Sequence, residues 1–334
     1  MIDLLSSSAI MSKPRIFIDG HAGTTGLRIR EWLAGRDDLE LWTLDESERK
    51  SEPARKKAIA EADLTVLCLP DAAAIEAGLW ARESGGRLID ASSSHRVAEG
   101  WVYGLPELAR EQRGEIAKAQ LVSNPGCYPS AFLPLIRPLI DEEILTSGAP
   151  LSIHGLSGYS GGGKALIERW EDPSQGRTHL AYEAPYCLDR IHKHLPEMQR
   201  YARLTHAPQF IPAVGPFACG MRVEVPLHTS LLQDGATAEK IWQVLAQRYE
   251  AEPFIEVAEF RSVESQATDP LDDFSLDPRI LNDTNRLRLH VLPNAAGHIL
   301  LVGILDNLGK GASGVAIQSL NLMLGLDEAT GLPV

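Results

Sequence analysis

A single cysteine in a tight turn is the residue of this sequence best suited to chemistry. Cys127 lies in the segment Asn124–Pro129, which follows the strand-like stretch Gln120–Ser123 and precedes a possible helix start. A cysteine at such a point lies near backbone N–H groups and the positive end of the helix dipole, which lowers the pKa of a thiol. We therefore expect Cys127 to be a nucleophile that is available as a thiolate at neutral pH.

A basic segment downstream supplies candidates for acid–base catalysis. His192 and His194 flank Lys193, and Glu197 follows three residues after the second histidine. An imidazole can donate or accept a proton near neutral pH, and a carboxylate can orient the imidazole and fix its tautomer. Lys193 offers positive charge for a phosphate. The alternative for this segment is an exposed basic loop.

These residues together suggest thioester chemistry. A thiolate is strongly nucleophilic, and a thioester accepts hydride more readily than an oxyester. A general acid–base is then required at the hemithioacetal oxygen. The sequence should therefore also encode a site for a hydride donor.

A glycine-rich turn near the start of the chain fits such a site. It spans residues 20–26, directly follows the first strand-like segment and opens a helix. Glycines let the backbone approach a pyrophosphate at the helix N-terminus, and threonine hydroxyls can add donors. The candidate contacts are Gly20, Gly23, Thr24, Thr25 and Gly26. Because the spacing is GxxGxxG rather than GxGxxG, an ordinary glycine-rich loop is the alternative.

The residues just after the second strand should determine whether the chain prefers NAD or NADP. Asp45 is suited to a ribose 2′-hydroxyl, as in NAD sites, whereas Ser47, Arg49 and Lys50 are suited to the 2′-phosphate of NADP. A solvated charged loop is a third possibility. The residues alone leave this choice open.

Two further segments have the composition of ligand contacts. Ser92–Arg96 comes just after the fourth strand, where ligands bind in open α/β sheets, and Arg96 can form paired hydrogen bonds with a carboxylate or phosphate. Ser157–Lys164 is a glycine-rich loop that lets a ligand approach the backbone closely. A flexible surface loop is the alternative for the second segment.

Composition limits the class of protein. The chain has 334 residues, 44% of them hydrophobic, and a net charge of -13, which argues against a nucleic-acid partner. Its four cysteines are scattered without a CxxC pair, so neither a disulfide framework nor a zinc site is expected. No apolar run is long enough for a membrane span, and residues 1–12 lack the features of a signal peptide. We expect a cytoplasmic protein with a loose tail at residues 1–12.

The order of predicted elements indicates two kinds of architecture. In the first half, strands at 15–18, 39–44, 64–69, 87–90 and 121–122 alternate with helices at about 25–34, 53–61 and 72–84. This alternation predicts a parallel sheet with helices on both faces. In the second half, strands recur at 150–156, 220–228, 254–260, 286–292 and 298–305, with a helix near 237–250. That pattern predicts an α+β domain, and a final helix to about 324 could pack back on the first domain.

With these segments assembled, the chain resembles the N-acetyl-gamma-glutamyl-phosphate reductases of the shorter type. The resemblance runs from about residue 14 and is carried by residues 20–26, 123–129, 157–164, 192–198 and 306–314. It implies a Rossmann-type nucleotide-binding domain and an α+β catalytic and dimerisation domain. It also implies NADPH-dependent reduction of N-acetylglutamyl 5-phosphate to the 5-semialdehyde in arginine biosynthesis.

The resemblance also assigns roles to particular residues. Cys127 matches the nucleophile, and His194 matches the acid–base position, with His192 nearby. Arg96, Asn124 and Lys193 would bind the acyl phosphate substrate. The residues bordering the nicotinamide end would be Ser160, Gly161, Asn307 and Lys310. The family preference favours NADP(H), and therefore Ser47 and Arg49.

The resemblance further predicts how the chain is organised and which rivals must be tested. Residues 13–126 and 306–334 would form the NADP-binding domain, and residues 127–305 the catalytic and oligomerisation domain of a homodimer or homotetramer. An aspartate-semialdehyde dehydrogenase would share Cys127 but prefer an unacetylated substrate. A nucleotide-sensing regulator would need neither Cys127 nor His194.

Overall fold

The computed structural model describes residues 13–21, 23–265 and 274–334. The predicted tail at residues 1–12, and Ala22 within the glycine-rich turn, lie outside the described residues. Within the described part of the chain, no helix is long and apolar enough to cross a membrane.

The first half forms a six-stranded sheet in which every pairing is parallel. Its strands are β1 (Arg15–Asp19), β2 (Glu40–Trp42), β3 (Leu64–Leu67), β4 (Leu88–Asp90), β5 (Val102–Tyr103) and β6 (Leu121–Ser123). Its helices are α1 (Thr24–Leu33), α2 (Glu52–Glu61), α3 (Asp71–Ser84) and α4 (Gln112–Lys118). The strand order is β2-β1-β3-β4-β6-β5. This confirms the predicted parallel sheet with helices between its strands.

The second half forms a seven-stranded mixed sheet. Its strands are β7 (Ser152–Gly158), β8 (Ala184–Pro185), β9 (Gln209–Gly215), β10 (Met221–Leu227), β11 (Ile255–Val257), β12 (Leu287–Pro293) and β13 (Ile299–Leu305). Its helices are α5 (Cys127–Asp141), α6 (Lys164–Glu171), α7 (Leu195–Tyr201) and α8 (Ala238–Tyr249). The order is β11-β12-β13-β10-β7-β9-β8. The five predicted strands are confirmed, whereas β8 and β9 are additional to the prediction.

Helix α5 connects the two sheets and carries Cys127 as its first residue. Pro134 and Pro138 lie inside it, yet the helix continues through 15 residues. Proline cannot donate a backbone hydrogen bond, so Pro138 leaves the carbonyl of Pro134 without its usual helical partner. The hydroxyl of Tyr249 donates to that carbonyl at 3.0 Å. Tertiary contacts therefore compensate for a sequence that local rules would interrupt.

The end of the chain returns to the first sheet. A short π-helix, Gly309–Ser313, leads into α9, Gly314–Met323. Ile317 and Leu320 of α9 are fully buried and pack in one cluster with Ile18 and Val122 of the parallel sheet. This confirms that the terminal helix packs back on the first half. The π-helix lies between β13 and α9, beside the start of α5.

Candidate active site

A cavity of about 760 Å³ lies where the two sheets meet. Its lining comes from the nucleotide turn and the Arg96 loop on one side, and from the residues after β7 and before α7 on the other. The start of α5 and the residues after β13 complete it. A volume of this size is typical of a small-molecule site. Twelve predicted site residues line this cavity: Gly23, Thr24, Thr25, Arg96, Asn124, Cys127, Ser160, Gly161, His192, Lys193, His194 and Asn307.

Cys127 opens into the cavity at the N-terminus of α5, but its thiol is not acidic. Burial raises its pKa to about 11, against the lowering effects of Arg96, the backbone N–H of Tyr128 and Lys193. The prediction of a lowered pKa is therefore wrong. The physical reason is that the first turn of α5 is buried, so desolvation of the thiolate outweighs the favourable charges. A neighbouring base is needed to remove the proton.

His194 lies beside the turn that carries Cys127. Its Nε2 lies against Gly126, so closely that a Cβ on that glycine would come within 2.5 Å of it. The ring is buried, and burial together with the charge of Arg96 holds its pKa well below the usual value. A neutral imidazole can accept a proton from a neutral thiol. Its Nδ1 has no hydrogen-bond partner among the described residues.

His192 lies beside His194 but bonds to other groups. Its Nδ1 accepts the backbone N–H of His194 at 3.2 Å, and its Nε2 lies 3.3 Å from the hydroxyl of Tyr186. The two imidazole rings meet edge to face with centroids 4.7 Å apart. Burial lowers the pKa of His192 to about 4. His192 therefore fixes the backbone that carries His194 and forms part of the cavity wall.

Glu197 orients Arg96 and the cysteine turn rather than a histidine. Its Oε1 accepts Arg96 Nη1 at 2.8 Å, and its Oε2 accepts the hydroxyl of Tyr103 at 2.7 Å and the N–H of Gly126 at 3.1 Å. The prediction that Glu197 orients an imidazole is therefore wrong. The two carboxylate oxygens can accept hydrogen bonds from three donors, and all three donors belong to the first half of the chain.

Arg96 is held on two more sides. Its Nε donates to the carbonyl of Asn124 at 3.1 Å, and its own carbonyl accepts the hydroxyl of Tyr201 at 2.7 Å. Its Nη2 makes no hydrogen bond to the described residues, and the residue lines the cavity. Asn124 in turn donates to the carbonyl of Ala312 at 2.9 Å. A fixed guanidinium with a free edge can bind an oxyanion.

The loop before Arg96 has a support that the sequence analysis missed. Asp90 ends β4, and its Oδ2 lies 2.6 Å from His95 Nδ1 and accepts the hydroxyl of Ser92 at 2.7 Å. The His95 ring stacks on Trp101 at 3.9 Å. The sequence signal for this support was an aspartate at the end of a buried strand, followed by a run of serines. Tyr103 was also missed, because its distance in sequence from Glu197 hides their contact.

The glycines of the nucleotide turn divide into two roles. Gly20 has φ +88°, and a Cβ there would collide with the carbonyl of Cys68. A Cβ on Gly26 would come within 2.7 Å of the carbonyl oxygen of Gly20. These two glycines permit the tight turn and do not line the cavity. Gly23 is the one that faces the cavity, with no atom closer than 3.5 Å to an added Cβ.

The predicted nicotinamide contacts divide in the same way. Asn307 Nδ2 donates to Ser160 Oγ at 3.0 Å, and a Cβ on Gly161 would lie 3.3 Å from that nitrogen. Lys310, by contrast, is fully buried, and its Nζ donates to Glu107 at 2.7 Å and to Gln318 at 2.6 Å. The prediction that Lys310 contacts the cofactor is therefore wrong, because its ammonium lies in a closed ion pair.

The predicted contacts to the 2′-phosphate lie outside the cavity. Ser47 is exposed in the turn after β2, and Arg49 pairs with Glu46 at 2.6 Å. Both are accessible to a ligand at that end of the sheet. Their role stays a prediction.

Sequence comparison gives matches to both halves of the chain. Residues 40–116 match the NAD binding domain of semialdehyde dehydrogenases, and residues 127–307 match their dimerisation domain. An N-acetyl-gamma-glutamyl-phosphate reductase of Trichormus variabilis is 46% identical over 329 residues, covering 96% of this chain and 100% of that protein. A protein named N-acetyl-gamma-glutamyl-phosphate reductase 2, from Pseudomonas putida, is 45% identical over 322 residues, with the same coverage.

Solved structures share the fold at low sequence identity. Aspartate semialdehyde dehydrogenase II from Vibrio cholerae matches with a TM-score of 0.70 and 17% identity, covering 94% of this chain and 98% of that one. An aspartate semialdehyde dehydrogenase with NADP from Candida albicans matches with a TM-score of 0.61 and 14% identity, covering 94% and 99%. Each match covers 94% of this chain, so the likeness of fold extends over both halves of the molecule.

Proposed function

Because the chain belongs to the family of N-acetyl-gamma-glutamyl-phosphate reductases, we propose that Cys127 carries the family's reaction through a thioester. The reaction is the NADPH-dependent reduction of N-acetylglutamyl 5-phosphate to N-acetylglutamate 5-semialdehyde with release of phosphate, a step of arginine biosynthesis. The observation that carries the proposal is the placement of His194 Nε2 against Gly126, the residue before Cys127, with both His194 and Cys127 lining the cavity between the sheets.

The residues at one side of the cavity fit a dinucleotide. The N-terminus of α1 opens on the cavity at Thr24 and Thr25, and Gly23 leaves its backbone open to an approaching pyrophosphate. Asn307, fixed by Ser160 and by the N–H of Gly220, would border the nicotinamide end. Ser47 and Arg49 would hold the 2′-phosphate. When bound there, NADPH supplies the hydride that reduces the thioester.

The first step is deprotonation of the thiol. His194 accepts the Cys127 proton at Nε2, and the positive charges of Arg96 and Lys193 stabilise the thiolate that forms. The thiolate attacks the acyl carbon of the substrate. The S–C bond forms, the C–O bond to phosphate breaks, and the electron pair leaves with phosphate.

Arg96 and Lys193 act on the leaving group. Arg96, whose Nη2 makes no hydrogen bond to the described residues, and Lys193 both line the cavity, where they can neutralise charge that develops on phosphate. Glu197 holds Arg96 in place, and so positions it without contacting the substrate. Asn124 lines the same region and would contact the substrate.

His194 then handles a second proton. After reduction, the hemithioacetal oxygen carries negative charge, and the protonated His194 donates the proton it took from Cys127. When His194 removes that proton again, the C–S bond breaks and the aldehyde leaves. The Cys127 thiolate then takes the proton back from His194. One imidazole therefore serves as base, acid and base again. Burial favours the neutral ring, which is the form that accepts the first proton.

The assembly and location of the protein are also proposed. Residues 127–305 would form the catalytic and oligomerisation domain of a homodimer or homotetramer, and residues 13–126 with 306–334 the NADP-binding domain. The match of residues 127–307 to a dimerisation domain supports the first part. The four free cysteines support the cytoplasm, a reducing compartment. Light scattering at micromolar concentration would give the oligomeric state.

The reverse reaction tests the function. We expect NADP reduction when N-acetylglutamate semialdehyde and inorganic phosphate are both present, and no such reduction with Cys127→Ala. Aspartate semialdehyde should be a poor substrate. A preference for aspartate semialdehyde would instead indicate the sister enzyme, and NADP binding without turnover of either aldehyde would favour a sensor.

His194→Asn and His192→Asn decide between the two histidines. We expect His194→Asn to lower kcat by about 10²- to 10⁴-fold, the usual contribution of a general acid–base, with NADP affinity retained. His192→Asn should lower it less. The reverse ranking would show that His192 is the acid–base.

A further inference from the structure

The cavity has a charge opposite to that of the protein as a whole. The chain carries a net charge of -13, yet no aspartate or glutamate is among the described residues that line this cavity. Five cations line it: Arg96, Lys164, Arg169, Arg177 and Lys193. Such a lining favours ligands with several negative charges. The substrate has two anionic ends, an acyl phosphate and an α-carboxylate.

Two of the five cations belong to the reacting end. Arg96 and Lys193 are close enough to Cys127 to lower the pKa of its thiol. They are therefore assigned to the phosphate that leaves from the carbon under attack. The α-carboxylate lies at the opposite end of the substrate chain and needs a different cation.

The other three cations lie on one segment, from α6 to the short helical turn Arg177–His179. Lys164 is 79% exposed and lies 3.8 Å from Glu168, and Arg169 is also exposed. Arg177 is half-buried, and its Nε is shielded from solvent without a hydrogen-bond partner among the described residues. Only Arg177 thus combines shielding with an unmet hydrogen bond.

The unmet hydrogen bond of Arg177 points to an anionic ligand. A shielded donor without an acceptor destabilises a folded protein, so such a donor indicates a partner that is supplied by a ligand. Asp172 lies nearby, but its carboxylate accepts the N–H and the hydroxyl of Ser174, and these hydrogen bonds, more than the charge of Arg177, lower its pKa. The guanidinium therefore remains available to a carboxylate, which its planar array of donors can bind with two hydrogen bonds.

We propose that Arg177 binds the α-carboxylate of the N-acetylglutamyl substrate and so selects amino-acid-derived acyl phosphates. This assignment rests on the proposed function. It makes the cavity a two-anion site, with Arg96 and Lys193 at the phosphate and Arg177 at the carboxylate. The substrate is then held at both ends, with its acyl carbon directed to Cys127.

A substrate that lacks only the carboxylate provides the test. 4-Acetamidobutanal is N-acetylglutamate semialdehyde with the carboxylate replaced by hydrogen. The kcat/KM of the reverse reaction is measured with both aldehydes at saturating NADP and phosphate, for the wild type, Arg177→Gln, Arg177→Lys and Arg190→Gln. Arg190 is an exposed arginine of the neighbouring loop that does not line the cavity, and it pairs with Asp189 at 2.7 Å.

The proposal predicts that kcat/KM falls for only one of the two aldehydes. Arg177→Gln should lower kcat/KM for N-acetylglutamate semialdehyde by about 10- to 100-fold, as expected for a charged hydrogen bond, and leave that for 4-acetamidobutanal unchanged. Arg177→Lys should retain part of the preference, because the charge is kept and the paired geometry is lost. Arg190→Gln should keep the full preference of the wild type.

Three outcomes would overturn the proposal. An equal loss on both aldehydes would mean that Arg177 supports the structure of the site. A raised Kd for NADP in Arg177→Gln, measured by fluorescence titration, would assign the residue to the cofactor. If the wild type turns over neither aldehyde although NADP binds, the proposed function itself fails. That result is distinguished from the other two by the wild-type rates alone.

Discussion

Two buried ion pairs close to the cavity have different consequences. Arg96 and Glu197 form one at 2.8 Å, and Lys310 and Glu107 form the other at 2.7 Å. All four residues are buried, and the sequence suggested a ligand contact for both cations. Arg96 lines the cavity and has an Nη2 without a hydrogen bond to the described residues, whereas the Lys310 ammonium binds Glu107 and Gln318, and Lys310 does not line the cavity.

The difference shows that a cation next to a site is available to a ligand only if its donors remain free. The Lys310 pair instead joins the π-helix to the loop that carries Glu107. The π-helix contains Gly311, where a Cβ would come within 2.9 Å of the Cβ of Cys127. Lys310 therefore stabilises the backbone beside Cys127, whereas Arg96 remains available to a ligand in the cavity.

The largest expected effect that separates the pairs is on stability. Lys310→Met should lower the free energy of unfolding by about 3–5 kcal/mol, because it leaves the fully buried Glu107 without its positive partner. Denaturant unfolding measures the loss. The double variant Lys310→Met with Glu107→Leu should recover much of it. If Lys310→Met had normal stability but a weakened affinity for NADPH, Lys310 would instead be a cofactor contact, and the proposed difference between the two ion pairs would be wrong.

The next effect concerns catalysis. Arg96→Gln should lower kcat/KM of the reverse reaction by about 10²- to 10³-fold, comparable to removing a preorganised donor from an oxyanion site. The KM for inorganic phosphate should rise, because the guanidinium edge that faces the cavity is lost. Steady-state rates at varied phosphate concentration measure both quantities. An unchanged KM for phosphate would mean that the leaving group is bound elsewhere.

The smallest expected effect concerns Tyr103, which donates a hydrogen bond to the second carboxylate oxygen of Glu197. Tyr103→Phe removes one hydrogen bond to Glu197 and should raise the KM for phosphate by about 5- to 10-fold, as expected for losing roughly 1–1.5 kcal/mol of alignment. Tyr249→Phe is the matched control, because its buried hydroxyl bonds to Pro134 and not to the Arg96 network. Equal effects of the two variants on the KM for phosphate would argue against a positioning role for Tyr103.

The sequence predicted the elements whose signal is local. Five of the six strands of the first sheet and the helices α1, α2 and α3 were predicted to within about two residues, because apolar periodicity and turn residues determine them. The two-residue strand β5 and the helix α4 were not predicted. The continuity of α5 through two prolines could not be predicted, since the hydroxyl that compensates for Pro138 comes from Tyr249. The strand β9 was not predicted, because its burial depends on neighbours that are distant in sequence.

The site shows the same division between local and distant information. The residue types of Cys127, His194 and Arg96 suggested chemistry, and the structure brings all three to one cavity. The hydrogen-bond partners within the site could not be predicted, because they depend on the fold. Glu197 bonds to Arg96 and Tyr103, and Lys310 bonds to Glu107. The direction of the Cys127 pKa also depended on the fold, since a helix N-terminus lowers it and burial raises it more.

The most direct test of the thioester is to run the reverse reaction without phosphate. With N-acetylglutamate semialdehyde and NADP alone, we expect a rapid burst of about one NADPH for each active site, because hydride leaves but the acyl group stays on the enzyme. Mass spectrometry should then find one N-acetylglutamyl group on the peptide that contains Cys127, and adding phosphate should remove it. Full turnover with phosphate but no burst and no adduct without it, or an adduct on another residue, would contradict the account.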